Sequence, residues 1–189
     1  MKFLGFLASA TAVTAAAVSA PISARQTGGL LYPWGTYRHW VQTGAIVEDP
    51  QDQPLVVKNG NQADETTTIV AFNVPEDAAG KQCQLLFELW SDRDTSTGSQ
   101  RLDVFTYNNP PADASGIQAL LKTKERNEHA GRIIASFDEE AVWEQSYDGW
   151  PIIPCPAGER IGIEYVGVGD AVVVQWDIGV TGPRLQILE

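Results

Sequence analysis

The feature that most restricts this chain's fold is a two-residue alternation of apolar and polar side chains, broken at short intervals by Gly, Pro, Asn and Asp. In residues 82–90, Cys83, Leu85, Phe87 and Leu89 fall on one face of an extended strand, and Gln82, Gln84 and Glu88 on the other. The β-branched run 66–74 stops at Pro75, and 101–107 stops before Asn108-Asn109-Pro110-Pro111. Further strands are expected over 131–137, 160–165, 171–176 and 184–188. The turn Gly167-Val168-Gly169-Asp170 makes 160–165 and 171–176 read as a hairpin. Helical signal is confined to 116–124 and 138–145, each good for a turn or two, and the longest loops are expected at 91–100 and 108–116. This pattern predicts an all-β, antiparallel two-sheet β-sandwich, jelly-roll or immunoglobulin-like, with very little helix.

The leader sets the compartment. Lys2 precedes a short apolar run that fades through Ala, Thr and Ser to Val18-Ser19-Ala20, a small-x-small site. Residues 1–20 are read as a signal peptide. Pro21 hinders cleavage after Ala20, so the cut is placed between 17 and 25. The segment is too rich in Ala, Thr and Ser for a membrane span, and 185–189 lacks the form of a glycolipid-anchor signal. The protein is expected to be secreted, with residues 27–189 as a single domain, since no repeat or second composition appears. Two cysteines, Cys83 and Cys155, most simply form one disulfide in an oxidising compartment, two buried free thiols being the alternative.

Charge excludes two partner classes. The chain has 24 acidic and 13 basic residues, a net charge of −11. Such a surface repels phosphate and anionic lipid, so neither nucleic acid nor membrane is expected as a partner. The acidity suits solubility in an extracellular medium.

Three stretches together resemble a known family. They are 68–75 with Phe72 and Pro75, 80–87 with Gly80, Cys83 and Leu85, and Pro154-Cys155-Pro156-Ala157-Gly158 running on to Trp176. This Phe-x-x-Pro, Gly-x-x-Cys-x-Leu and Cys-Pro-Ala-Gly pattern is similar to the But2 C-terminal domain of fungal secreted and cell-wall proteins, and Leu31-Tyr32-Pro33 fits that family's start. The resemblance implies a β-sandwich with Cys83 bridged to Cys155. The family's name comes from an interaction with the cytosolic ubiquitin-like activation machinery, which a chain with this leader is not expected to meet. The Trp-rich start and the charged middle, 122–144, depart from the pattern.

Several residues are candidates for chemistry. Residues 32–40 hold Trp34, Tyr37 and Trp40, rings that in sugar-binding sandwiches stack on the apolar face of a pyranose, and Trp90 and Trp150 extend this weak ligand surface. Core packing is the competing reading for each ring, and of Trp34 and Trp40 one is expected buried and one exposed. Residues 92–98, with Asp92, Asp94 and later Asp103, have the oxygen-rich look of a calcium loop, but Gly98 sits one place late and a solvated turn is the better reading. Only His39 and His129 exist, Gly-x-Ser-x-Gly is absent, and no catalytic residue, metal site or cofactor is assigned. Asp138, Glu139, Glu140, Glu144 and Asp148 are the carboxylates from which a glycosidase pair would have to come. The expected function is non-catalytic binding of a cell-wall glycan or an extracellular protein. The alternatives are a secreted carbohydrate-active enzyme using paired carboxylates and a purely structural wall protein. Ligand identity and oligomeric state are not legible here.

Overall fold

The computed structural model describes residues 29–110 and 126–189. They form fifteen strands: β1 (Leu30–Leu31), β2 (Gly35–Trp40), β3 (Ile46–Glu48), β4 (Val56–Lys58), β5 (Thr66–Asn73), β6 (Gln82–Leu89), β7 (Thr95–Gly98), β8 (Arg101–Tyr107), β9 (Arg126–Ile134), β10 (Glu139–Glu140), β11 (Val142–Ser146), β12 (Ile152–Pro154), β13 (Arg160–Gly167), β14 (Val172–Gln175) and β15 (Gly182–Leu188). One short helical turn, Glu76–Ala78, follows β5. A 5-stranded sheet runs β1-β15-β6-β10, with β12 also on β6. A 10-stranded sheet runs β11-β9-β8-β13-β5-β4-β14-β7, with β2 on β5 and β3 on β2. The strand pairs are antiparallel, as in a two-sheet β-sandwich.

Alternation in β6 buries Cys83, Leu85, Phe87 and Leu89, and these meet Val70 and Phe72 of β5, Val104 of β8, and Ile163 and Tyr165 of β13 in one apolar cluster. Each such side chain contributes about 1.5–3 kcal/mol on burial. Phe87, Tyr165 and Trp176 pack as a triad at the centre, with ring centroids 5.2, 5.4 and 6.2 Å apart in tilted and edge-on contacts. The Tyr165 hydroxyl has no hydrogen-bond partner, and burial pushes its pKa up. Two threonines of β5 meet on one carbonyl: the Thr66 and Thr68 hydroxyls both donate to the Leu55 oxygen, at 3.0 and 2.7 Å. Cys83 and Cys155 form a disulfide joining β6 to the segment after β12, with Cα atoms 4.9 Å apart.

The structure corrects four local expectations. Residues 160–165 and 171–176 do not form a hairpin, because β13 is flanked by β8 and β5 and β14 by β4 and β7. Lys58 of β4 pairs with Val172 and stands between the two strands that the Gly167–Asp170 turn connects. Residues 138–145 are not helical but supply β10 and β11, since pairing with β6 and β9 outweighs a weak local helical signal. The loop expected at 91–100 contains β7, and Asp94 within it is buried rather than solvated. The other helical candidate, 116–124, lies outside the described residues, as does the expected leader, 1–20.

Two chain crossings between the sheets meet at one corner. β6 leaves the smaller sheet and enters the larger as β7, while β14 leaves the larger and returns as β15. Asp94 ties the crossings together. Its Oδ2 accepts from the backbone N–H of Trp90 and Ser91, at 2.8 and 2.9 Å, and its Oδ1 from the Asp177 N–H and the Thr181 hydroxyl, both at 2.8 Å. Gly182, at φ +80°, completes the second crossing, and a side chain there would collide with the Trp176 indole. The Asp94 knot generates a prediction. Asp94→Ala should lower unfolding free energy by about 3–5 kcal/mol, because four donors lose their acceptor at once. Exposed Asp92→Ala should change it by less than about 0.5 kcal/mol, with urea melts as the readout.

Candidate functional site

The same corner carries the most accessible indole of the described residues. Trp90 follows the last residue of β6 and points away from the core, because its neighbour Leu89 points in. Its backbone is fixed by Asp94, yet its residue surface is 51% exposed. Across the strand ladder, Arg184 of β15 lies on this outer face, opposite Leu86. Arg184 is only 7% exposed. Its Nη1 donates to Glu88 Oε2 at 2.7 Å and its Nη2 to the Val180 carbonyl. The guanidinium carbon lies 5.3 Å from the Tyr32 ring centroid and 6.0 Å from that of Trp90. Tyr32, Arg184 and Trp90 therefore form one surface on the smaller sheet, two rings flanking a cation that is neutralised by Glu88.

The aromatic residues singled out in the sequence separate into four places. Tyr37 is fully buried, in a second apolar cluster with Ile69, Ala71 and Tyr107, and Trp34 packs against that cluster half-buried. Trp40 is also half-buried, on the opposite strand face, with the Arg38 guanidinium 4.4 Å from its ring centre. The expected division of Trp34 and Trp40 into one buried and one exposed ring is thus not what the structure has. Gly35 begins β2, so Trp34 lies before the strand and escapes its alternation. Trp150 lines a separate groove of about 320 Å³ with Tyr107, Ile153, Pro154, Pro156 and Ile161. Only Trp90 combines a largely exposed indole with ordered polar neighbours.

Charged groups elsewhere are committed to one another. Glu164, nearly inaccessible, accepts two hydrogen bonds from Arg126, both at 2.7 Å, and one from the Thr67 hydroxyl at 2.7 Å. These bonds raise the Arg126 pKa. Asp103 takes Arg132 at 2.7 Å, and Arg101 grips Glu144 through the Nε–Nη2 edge of its guanidinium. Of the acidic stretch 138–144, Glu139 and Glu140 join the smaller sheet and Glu144 the larger, so the strands divide them between the two sheets. The histidines are four strand spacings apart, about 19 Å. His39 contacts the Thr67 hydroxyl, and His129 stacks on Phe105 at 4.7 Å. Among the described residues no group of three or more His, Cys, Asp or Glu is placed to hold a metal ion. No helix there is long and apolar enough to cross a membrane.

Sequence reasoning missed Glu88 and Arg184, and placed Tyr32 only within the aromatic stretch 32–40. Arg184 and Glu88 are 96 residues apart, and only the pairing of β15 on β6 brings them together.

The comparison with known families bears on this surface. The family model described as "Ubiquitin 3 binding protein But2 C-terminal domain" matches residues 47–176. That span takes in both cysteines, Trp90 and Trp150, but ends before β15 and its Arg184, and begins after Tyr32. No curated protein matches the chain.

Two predictions follow from the burial of these groups. Tyr37→Ala should cost about 3–5 kcal/mol of stability, whereas Trp90→Ala should cost less than about 1 kcal/mol. Urea melts of the two variants check this contrast. The second concerns Asp49, whose carboxylate accepts from the Thr36 N–H at 2.8 Å. Desolvation raises its pKa, outweighing that bond, which lowers it. The folded state then holds the proton more tightly than the unfolded one. The stability it brings is present at low pH and lost as pH rises from the ordinary aspartate range through the raised value. Asp49→Asn, which keeps the acceptor oxygen, should therefore flatten the stability–pH curve in that window and leave the neutral-pH protein at least as stable.

Proposed function

This chain belongs to the Ubiquitin 3 binding protein But2 C-terminal domain family, and from that premise we propose that it is a secreted, non-catalytic binding domain acting at a fungal cell wall or in the surrounding medium. The observation that carries the binding reading is the half-exposed Trp90 indole beside Tyr32 and the neutralised Arg184, held in place by the Asp94 knot. Buried aromatic contact area flanked by oriented polar groups is how ligand surfaces gain both affinity and orientation. What supports secretion is the leader of residues 1–20 together with the Cys83–Cys155 disulfide, a bond that persists in oxidising compartments. The partner on the first reading is wall polysaccharide. A second reading, a protein partner, is favoured by the family's description, which names a protein that binds ubiquitin 3.

The reading is tested with protein expressed with its own leader and collected from the medium. Co-sedimentation with an insoluble cell-wall preparation is expected to retain the wild type and Tyr147→Ala. Trp90→Ala should be released into the supernatant at concentrations where the wild type stays bound. Equal retention of wild type and Trp90→Ala would overturn the assignment of this face.

A further inference from the structure

Of the lysines and arginines among the described residues, only Arg184 is buried. Two of its nitrogens are used within the protein, on Glu88 and on the Val180 carbonyl, but its Nε–H is inaccessible and meets no acceptor. A buried N–H without an acceptor is costly, and native structures seldom leave one without a reason. That atom is closed to solvent and to a ligand alike; what a ligand can rest against are the two rings that flank the guanidinium, Tyr32 and Trp90.

Three features of this face define what it can take. First, Arg184 and Glu88 cancel each other's charge, so the face offers donors and acceptors without selecting a charged ligand. The chain's net charge of −11 further opposes a polyanion. Second, the face is long. Outward positions run from Trp90, just past β6, through Glu88 and Leu86 to Gln84, six residue steps or about 20 Å. Gln84 stands directly opposite Gln186, which puts two amides at the far end. Third, β6 and β15 are interior strands, flanked by β10, β12 and β1, so an extended peptide finds no free edge to join here. An extended neutral saccharide meets all three conditions. Its sugar rings have an apolar C–H face that stacks on an indole, and a rim of hydroxyls that pair with amide, guanidinium and carboxylate groups.

We propose that the outer face of β6 and β15 binds a neutral, extended polysaccharide chain, with Trp90 stacked under one sugar ring, Arg184 and Glu88 pairing with its hydroxyls, and Gln84 contacting the chain further along. The proposal rests on this face being the binding surface, and deepens that reading by naming the ligand class.

Isothermal titration with soluble laminari-, cello- and chito-hexasaccharides, and with an oligogalacturonate as the anionic counterpart, tests it. At least one neutral hexasaccharide should bind the wild type, and the oligogalacturonate should not. Trp90→Ala should weaken that binding at least about tenfold, Trp90→Phe should keep most of it, and Tyr147→Ala should match the wild type. If no neutral hexasaccharide binds, or if Trp90→Ala binds as well as the wild type, the proposal is overturned. Should Trp90→Ala still lose retention on the wall preparation in that case, the ligand class fails and the face stands. Unchanged retention means that both fail.

Discussion

A single buried carboxylate holds the corner on which the accessible surface of this protein depends. Asp94 accepts from two backbone N–H groups where β6 turns toward β7, and from a backbone N–H and a hydroxyl where β14 turns toward β15. Both crossings pass between the sheets at that point, so the two layers are joined there by directional bonds as well as by apolar packing. Hydrogen bonds to a carboxylate are the stronger kind, and the four donors leave Asp94 little need of solvent. Because one of those donors is the Trp90 N–H, the exposed indole stands on a fixed backbone.

Several charges elsewhere are paired within the protein. Arg126 with Glu164, Arg132 with Asp103, Arg101 with Glu144 and Arg184 with Glu88 are all close pairs. The acidic excess consequently falls on residues outside these pairs, and the paired regions present little net field. The Arg184 pair is unlike the others in being roofed by two rings. Burying a charge is costly unless it is matched, and here the matching is incomplete at Nε. An exposed ring over a buried ion pair is what separates this face from the groove beside Trp150, where the indole is half-buried among prolines, isoleucines, Asn108, Asn109 and Arg160.

Family membership and geometry agree on the scaffold. The matched span, 47–176, covers most of both sheets and the disulfide, which explains why the motifs resembling the family are a core Phe72, a strand-ending Pro75 and the two cysteines. Those residues build a scaffold. The groups that complete the Trp90 surface lie outside the matched span, Tyr32 just after β1 and Arg184 in β15.

By itself the sequence determined the class of fold, because period-two alternation in β6 and β8 and the β-branched run of β5 admit little but strands with one buried face. It also made one disulfide the simplest use of its two cysteines, and it named Trp90 only as one of five candidate rings. Tertiary structure alone decided how the strands are arranged. The hairpin expected of β13 and β14 is absent because β8, β5, β4 and β7 occupy their edges, and pairing partners that distant leave no local trace. The helical reading of 138–145 failed for a related reason: local propensity is worth tenths of a kcal/mol per residue, and strand pairing outweighs it. Whether a ring is buried is likewise a property of what packs over it. Tyr37 and Trp90 look alike in sequence, but one lies inside the cluster built by β2, β5 and β8, and the other stands beyond the end of β6 with solvent on its face. The Arg184–Glu88 pair, formed across 96 residues, exists only because β15 returns alongside β6 in one register and no other.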